Sequence, residues 1–232
     1  MLYEPRRSDI ITFVGLGASC YDWVAFSYRN FAKEDNQIWT INSGVKLFQH
    51  DVCFDIHTPE WLKEQAERKQ NANAAPVARR EWMQHHDRPI VLAQRDPLIP
   101  TSLTFPLKSV IERTNSAYFT TGLSYMFACV WIVKPRILRL FGCDFTYDRE
   151  VATHDEPGRA CCEYWVGRII ERGTKIETSN STHFLDMKMR STGHLYGYHE
   201  PAMFSVDPAN KQLPPVFVSP DYSIGEEPYK PC

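Results

Sequence analysis

Short apolar runs alternate along the chain with longer segments in which apolar residues recur at helical spacing. The first run, residues 10–14, is rich in β-branched residues and is followed by a glycine, a pattern typical of a parallel strand covered on both faces. Residues 20–31 then show helical spacing, so a glycine-rich turn joins this strand to a helix. Later runs predict strands at 37–41, 51–56, 90–92, 137–141 and 175–178, and helices from residue 59, at 122–132 and at about 159–172.

This alternation predicts an α/β fold: a Rossmann-like, mostly parallel twisted sheet with helices on both faces. A length of 232 residues fits one such domain, with two small domains as the alternative. We assign the domain to residues 1–198. Within it, residues 63–106 predict an inserted, lid-like segment, because 63–80 is polar and 96–106 contains three prolines and predicts an irregular loop. Residues 199–232 form a proline-rich tail that either wraps the surface or is partly disordered.

Composition narrows the class of protein without identifying a partner. Apolar residues make up 43% of the chain and charged residues 23%, which is ordinary for a globular domain. A formal net charge of −2 supplies no general attraction for nucleic acid or an anionic membrane. The absence of an apolar signal core and of a bilayer-length uncharged run predicts a cytoplasmic protein. The seven cysteines lie mostly in apolar runs without a C-x-x-C pair, which predicts reduced, buried thiols rather than a zinc or redox site.

Glycines and polar residues gather where the predicted strands end, at the edge where open parallel sheets bind ligands. Gly15, Gly17 and Ser19 follow the first strand, where bare backbone and a hydroxyl would let a phosphate approach the next helix. The alternative is a tight turn without a ligand. A complete G-x-G-x-x-G is missing, and Asn42 stands where NAD-binding chains carry an acidic residue, so the pattern argues against NAD.

Further candidates follow the second and third strands and precede the helix at 122–132. Asn42 and the adjacent Ser43 suit a base edge or ribose, or else an Asx turn. His57 fits a base or substrate ligand, or a structural residue before the helix at Pro59. The segment before the later helix fits an anion cradle or a simple N-cap and consists of Thr120, Thr121 and Gly122.

The segment after the strand at 137–141 carries groups suited to proton transfer. His154 could take a proton from an acceptor hydroxyl. Four acidic residues could bind Mg²⁺ beside a diphosphate or form a solvated loop, and they are Asp144, Asp148, Asp155 and Glu156. We predict no bound metal.

Taken in order, these motifs resemble those of the Rossmann-like bacterial sialyltransferases, which use a CMP-activated sugar. The likeness spans residues 10–185 and rests on Gly15-x-Gly17-x-Ser19, Asn42, Thr120-Thr121-Gly122 and Gly142-x-Asp144-Phe145. Ala18 and Thr121 depart conservatively from that family's G-x-G-P-S and T-S-G. The scaffold also resembles the motility accessory factor and hydroxymethylpterin diphosphokinase group, so the motifs specify nucleotide binding better than they specify a reaction.

A second resemblance, to small phage-encoded proteins of unassigned role, is closer. It is carried by residues 118–126, 162–165 and 195–198. It would place the protein in a host cytoplasm and includes hydroxymethylated phage DNA bases among the possible acceptors, beside surface glycans.

The sialyltransferase resemblance implies an inverting, metal-independent glycosyltransferase that needs no cofactor and takes a CMP- or UDP-linked sugar as its substrate. It implies that His154 is the general base and that Tyr147 contacts the phosphate, with Asp144 beside them. By this resemblance, nucleotide contacts would fall on Gly15, Gly17, Ser19, Asn42 and Thr121, with His57 in place of a family Asn. The candidates Ser43, Thr120 and Gly122 complete the predicted nucleotide site. The alternatives are an Mg²⁺-dependent diphosphokinase-like transferase and a non-catalytic viral protein that sequesters a nucleotide.

Overall fold

The computed structural model describes residues 1–30, 36–68, 75–145, 152–179, 181–182 and 184–185. These residues form a seven-stranded sheet with helices between its strands. The strands are β1 (Ile10–Val14), β2 (Asn36–Ile41), β3 (Val52–Asp55), β4 (Ile90–Leu92), β5 (Ser102–Thr104), β6 (Ile137–Phe141) and β7 (Lys175–Thr178). The helices are α1 (Cys20–Asn30), α2 (Gly44–Leu47), α3 (Pro59–Arg68), α4 (Ala75–Gln84), α5 (Leu107–Thr114), α6 (Gly122–Val133) and α7 (Ala152–Glu171).

All strand pairs in the sheet are parallel, in the order β5-β4-β3-β2-β1-β6-β7. From β1 the chain builds outward to β5, then returns across the sheet to place β6 on the other side of β1. The point between β1 and β6 is therefore a topological switch point, where doubly wound sheets open a crevice beyond their strand ends. The carboxyl ends of all seven strands lie at this edge.

Helices cover both faces of the sheet, as the sequence predicts. On one face Phe13, Trp39 and Phe54 pack into a large apolar core with α6 and α7, and Phe13 lies 5.1 Å from the ring of Phe127 in α6. On the other face Val14 packs with Trp23 of α1, while Cys53 and Leu92 pack with α3 and α4. Strands buried on both faces read as continuous apolar runs, which explains why β1 and β6 are visible in the sequence.

The structure departs from the sequence predictions at several elements, including the helices α2 and α4, which were not predicted. β5 lies inside the segment 96–106 that was expected to be irregular, because its three residues, Ser102–Thr104, lie between Pro100 and Pro106 and are free to pair with β4. α5 directly follows it and was not predicted. α7 begins at Ala152 rather than near 159, with Pro157 inside it. β4 and β5 both fall within the segment predicted as a lid, so that segment contributes two strands to the sheet.

Other sequence predictions meet only part of the described chain. The described cysteines are free thiols, and Cys53, Cys129, Cys143, Cys161 and Cys162 are buried. Among the described helices, none combines the length and apolar character needed to cross a membrane. The tail at 199–232 lies outside the described residues.

Candidate functional site at the carboxyl edge of the sheet

The first turn packs directly against the end of β6. The amide of Gly15 donates to Phe141 O at 2.8 Å, and that of Gly17 donates to Gly142 O at 2.9 Å. A Cβ on Gly15 would lie 2.9 Å from the carbonyl carbon of Gly142, and one on Gly17 would lie 2.8 Å from Cγ of Asp144. Both glycines are therefore needed for the approach of the two strand ends.

Ser19 and Asp144 lock this junction. The amide of Ser19 donates to Asp144 Oδ2 at 2.7 Å, its hydroxyl donates to Asp144 Oδ1, and the amide of Gly142 donates to Ser19 Oγ at 2.8 Å. Ser19 is fully buried, and Asp144 is 2% exposed. The hydroxyl that the sequence offers to a phosphate is thus already bonded within the protein. Leu16 and Ala18 are the exposed residues of the turn, and in the described structure their amides have no acceptor.

Two polar side chains follow the end of β2 without hydrogen-bond partners among the described residues. Asn42 has a left-handed backbone with φ of 51°, a conformation that asparagine tolerates well, and its amide donates to Phe54 O on β3 at 2.9 Å. Ser43 precedes α2 without capping it through its hydroxyl. Both residues are half-buried, and their side chains have no hydrogen-bond partner among the described residues.

A histidine and a carboxylate are joined just beyond β3. The ring Nδ1 of His57 is hydrogen bonded to Oδ1 of Asp55, the last residue of the strand, which is fully buried. The imidazole stacks on the indole of Trp61 in α3, with centroids 3.7 Å apart and planes 12° apart. Thr58 caps that helix by accepting the amide of Trp61 at 3.2 Å, ahead of Pro59.

The start of α6 reaches the same edge from the opposite face of the sheet. A Cβ on Gly122 would lie 2.8 Å from Cδ1 of Ile41, the last residue of β2. Thr121 is the extended N-cap residue, and its hydroxyl makes no capping bond. Within the described residues, the amides of Gly122 and Leu123 have no acceptor, so the positive end of this helix is unsatisfied.

The start of α7 lies beside that of α6. Thr120 donates its hydroxyl to Pro157 O at 3.0 Å, so unlike Thr121 it is engaged. His154, the predicted base, belongs to the first turn of α7, whose side chains at 152–156 are not described. The side chains of Asp155 and Glu156 are likewise not described, while Tyr147 and Asp148 lie outside the described residues.

Most of the predicted residues that the structure describes thus fall into two groups along one edge. Those of the first turn and β6 hold the scaffold together, whereas those beyond β2 and β3 and at the start of α6 carry free groups. Sequence reasoning missed Asp55 and Trp61 as partners of His57, although the spacing Asp-x-His at a strand end was a usable signal. No three potential metal ligands converge within the described part of the chain.

A cavity in the described part of the chain lies away from these residues. It has a volume of about 840 Å³ and is lined by the N-terminal segment, α5 and the end of α6, including Tyr3, Ser8, Arg113 and Lys134. Ser8 precedes β1 and Lys134 precedes β6, which places the cavity toward the amino edge of the sheet. It does not include the strand-end residues.

Comparison by sequence finds no matching protein-family model and no matching curated protein. Comparison of structures finds the Campylobacter jejuni sialyltransferase CstII in complex with cytidine-5'-monophosphate, with a TM-score of 0.46 and 12% identity over 75% of this chain and 81% of that chain. It also finds the alpha-2,3-sialyltransferase from the same organism in apo form, with a TM-score of 0.44 and 15% identity over 79% of this chain and 80% of that one. At these scores the likeness concerns the arrangement of strands and helices, and it assigns no residue a role.

Proposed function

We propose that this chain is a glycosyltransferase, inverting and metal-independent, that transfers a sugar from a CMP- or UDP-linked donor to a hydroxyl acceptor. One observation carries the proposal: beyond β2 and β3 and at the start of α6, the carboxyl edge of the sheet carries several hydrogen-bonding groups that have no partner in the described structure. The switch-point topology independently favours ligand binding at that edge. The reaction class comes from the motif resemblance.

In this proposal the donor phosphate accepts hydrogen bonds from the amides of Gly122 and Leu123 and from the Thr121 hydroxyl. The positive end of α6 stabilises the charge that develops on the phosphate as the sugar leaves. Asn42 and Ser43 contact the base or ribose, since an amide both donates and accepts. Gly15, Gly17, Ser19 and Asp144 hold the first turn in place, so that only the exposed amides of this turn face a ligand.

The alternative functions find less support. An Mg²⁺-dependent diphosphokinase would use Asp144 or Asp148 as a metal ligand, but both carboxylate oxygens of Asp144 accept hydrogen bonds from Ser19. A protein that only sequesters a nucleotide would need no buried carboxylate behind a half-exposed histidine. Tyr147 as a phosphate contact and His154 as the base stay predictions from the motif resemblance. The nature of the acceptor, a glycan or a hydroxymethylated DNA base, likewise stays a prediction from the resemblances.

Calorimetric titration with CMP, UDP and ATP, with and without Mg²⁺, tests the proposal. We expect CMP or UDP to bind without Mg²⁺. Asn42→Gly removes the side chain while keeping the left-handed backbone unstrained, and we expect it to weaken binding about tenfold, the effect of one lost hydrogen bond.

Asn115→Gly is the matched control, because Asn115 is exposed at the end of α5 and has nearly the same backbone angle, with φ of 49°. Its affinity should equal that of the wild type. If no pyrimidine nucleotide binds, or binding requires Mg²⁺, the proposed function is wrong.

A further inference from the structure

We propose that His57, oriented by Asp55, is the general base that takes the proton of the acceptor hydroxyl. This inference rests on the proposed function, and it assigns to His57 a role that the motif resemblance gives to His154. The decisive feature is the pair formed by a fully buried carboxylate and an imidazole that still reaches solvent, with side chains 0% and 28% exposed.

The contacts of the pair fix which nitrogen carries the proton. An ionised carboxylate only accepts hydrogen bonds, so Nδ1 of His57 donates to Asp55, and in the neutral ring Nε2 then carries the free lone pair. Nε2 has no partner among the described residues. The basic nitrogen is therefore not engaged within the described structure and remains available to accept a proton.

The imidazole is also held in position from several sides. The amide of His57 donates to Asp55 O at 2.6 Å, its carbonyl accepts the amide of Ala93 at 3.2 Å, and the ring stacks on Trp61. Orientation by a buried carboxylate is what makes a histidine an efficient base, because the imidazolium that forms is stabilised and the tautomer is fixed. Burying a carboxylate costs free energy, and a positioning role for Asp55 accounts for its placement.

The base lies next to the proposed donor contacts. β2 and β3 are neighbouring strands, and the Asn42 amide is bonded to Phe54 O, so Asn42 lies beside Asp55 at a spacing of about 4.8 Å between strands. In the reaction, the acceptor oxygen bonds to the anomeric carbon while its proton passes to Nε2 of His57. The bond from that carbon to the phosphate oxygen breaks, and its electron pair leaves with the nucleotide.

The test measures nucleotide release from CMP-N-acetylneuraminic acid and from UDP-glucose, in which water serves as the acceptor hydroxyl, together with the Kd of CMP and UDP. We expect His57→Gln to lower the release rate by about 10²- to 10⁴-fold while changing the nucleotide Kd less than threefold. Asp55→Asn should lower the rate as well, since an amide does not fix the tautomer, and the double variant should be no slower than His57→Gln. His85→Gln, at an exposed histidine after α4, should match the wild type.

Two failures are distinguishable. If the wild type binds neither nucleotide, the proposed function falls and the role of His57 falls with it. If nucleotide binds and is released from a donor by the wild type, but His57→Gln keeps the wild-type rate, then the base assignment alone is wrong.

Loss of folding is separated by chemical rescue. Added imidazole should restore release in a His57→Gly variant, because the stacking surface of Trp61 and the acceptor Asp55 remain. A folded His57→Gly variant whose rate imidazole does not raise would overturn the assignment, since a purely structural histidine predicts that result.

Discussion

Gly15 and Gly17 lie where the backbone and Asp144 of the β6 end leave no room for a side chain. Their role in the described structure is to let two strand ends meet, and any ligand role for this turn has to work through its exposed amides. A glycine-rich turn after a first strand is therefore evidence of close backbone approach, and that approach can be to the protein itself as well as to a phosphate.

We predict that Gly15→Ala destabilises the protein by about 1–3 kcal/mol, because the obstacle is rigid backbone that would have to move. Gly167→Ala is the matched control: Gly167 is an exposed residue of α7, and a Cβ there would meet nothing within 4 Å. It should gain about 0.5–1 kcal/mol from improved helix propensity. Urea unfolding of both variants measures the difference, and equal stabilities would contradict the packing argument.

The sequence was enough to predict which residues lie along the carboxyl edge, but not which residues they contact there. Ser19 and Asp144 are 125 residues apart, and only the fold shows that each satisfies the other. Asp55 and His57 are close enough in sequence to be paired by inspection. The burial of the Asp55 carboxylate, on which the proposed orienting role depends, results from the helices that cover β3 and could not be predicted in the same way.

At the scale of elements, two histidines join α4 to the start of β3. His50 donates from Nδ1 to Phe48 O at 2.7 Å, and its Nε2 lies 2.9 Å from Nε2 of His86, whose ring packs against Trp82. Burial lowers the pKa of both imidazoles from the usual 6.5, and the charge of His50 lowers the pKa of His86 further, although Asp51 and Asp87 oppose these shifts. Both rings are therefore neutral in the folded protein over a range where the unfolded chain is protonated.

It follows that the contribution of these two histidines to the free energy of unfolding is largest above about pH 6.5. This contribution falls as the pH drops below that value, since the unfolded state then binds more protons than the folded state. We predict that His86→Gln, which keeps a donor to His50, reduces the stability lost between pH 7.5 and pH 5.5, because one of the two imidazoles with a lowered pKa is removed. His85→Gln, at the exposed neighbour, should lose as much as the wild type. The free energy of unfolding at both pH values provides the test, and an unchanged loss in His86→Gln would exclude this origin.

Strands could be predicted where burial on both faces of the sheet requires a continuous run of apolar residues. β1, β6 and β7 have the bounds that their apolar runs indicate. β5 has only three residues and lies between prolines, so its composition does not indicate a strand. Its strand conformation results from its pairing with β4. The start of α7 was placed too late because Pro157 was expected to precede the helix. A proline inside a helix removes one backbone bond, a cost that surrounding structure can offset.

At the scale of the whole molecule, the contact between Ser19 and Asp144 fastens β6 to the sheet's other half, because it joins the turn after β1 to the end of β6. We predict that Asp144→Asn and Ser19→Ala each destabilise the protein by about 1–3 kcal/mol, the cost of leaving a buried polar group unsatisfied. The double variant should lose clearly less than the sum, since both changes remove the same contact.

Asp87→Asn is the control for this cycle, because the side chain of Asp87 is 83% exposed and its removal should change the free energy of unfolding by less than about 0.5 kcal/mol. Thermal and urea unfolding of the four proteins of the cycle give the coupling. Additive losses would show that the two residues contribute independently.

The position of β1 between β2 and β6 also governs how the chain reaches its fold. During synthesis β2 to β5 emerge soon after β1, but the strand that covers the other side of β1 follows only after the whole of that half. Such distant pairings require closure of long loops and slow down folding. Until β6 arrives, the centre of the future sheet has an open strand edge, the kind of surface on which nascent chains associate with one another. The arrangement that creates the topological switch point thus also sets the interval in which the chain is most prone to aggregate.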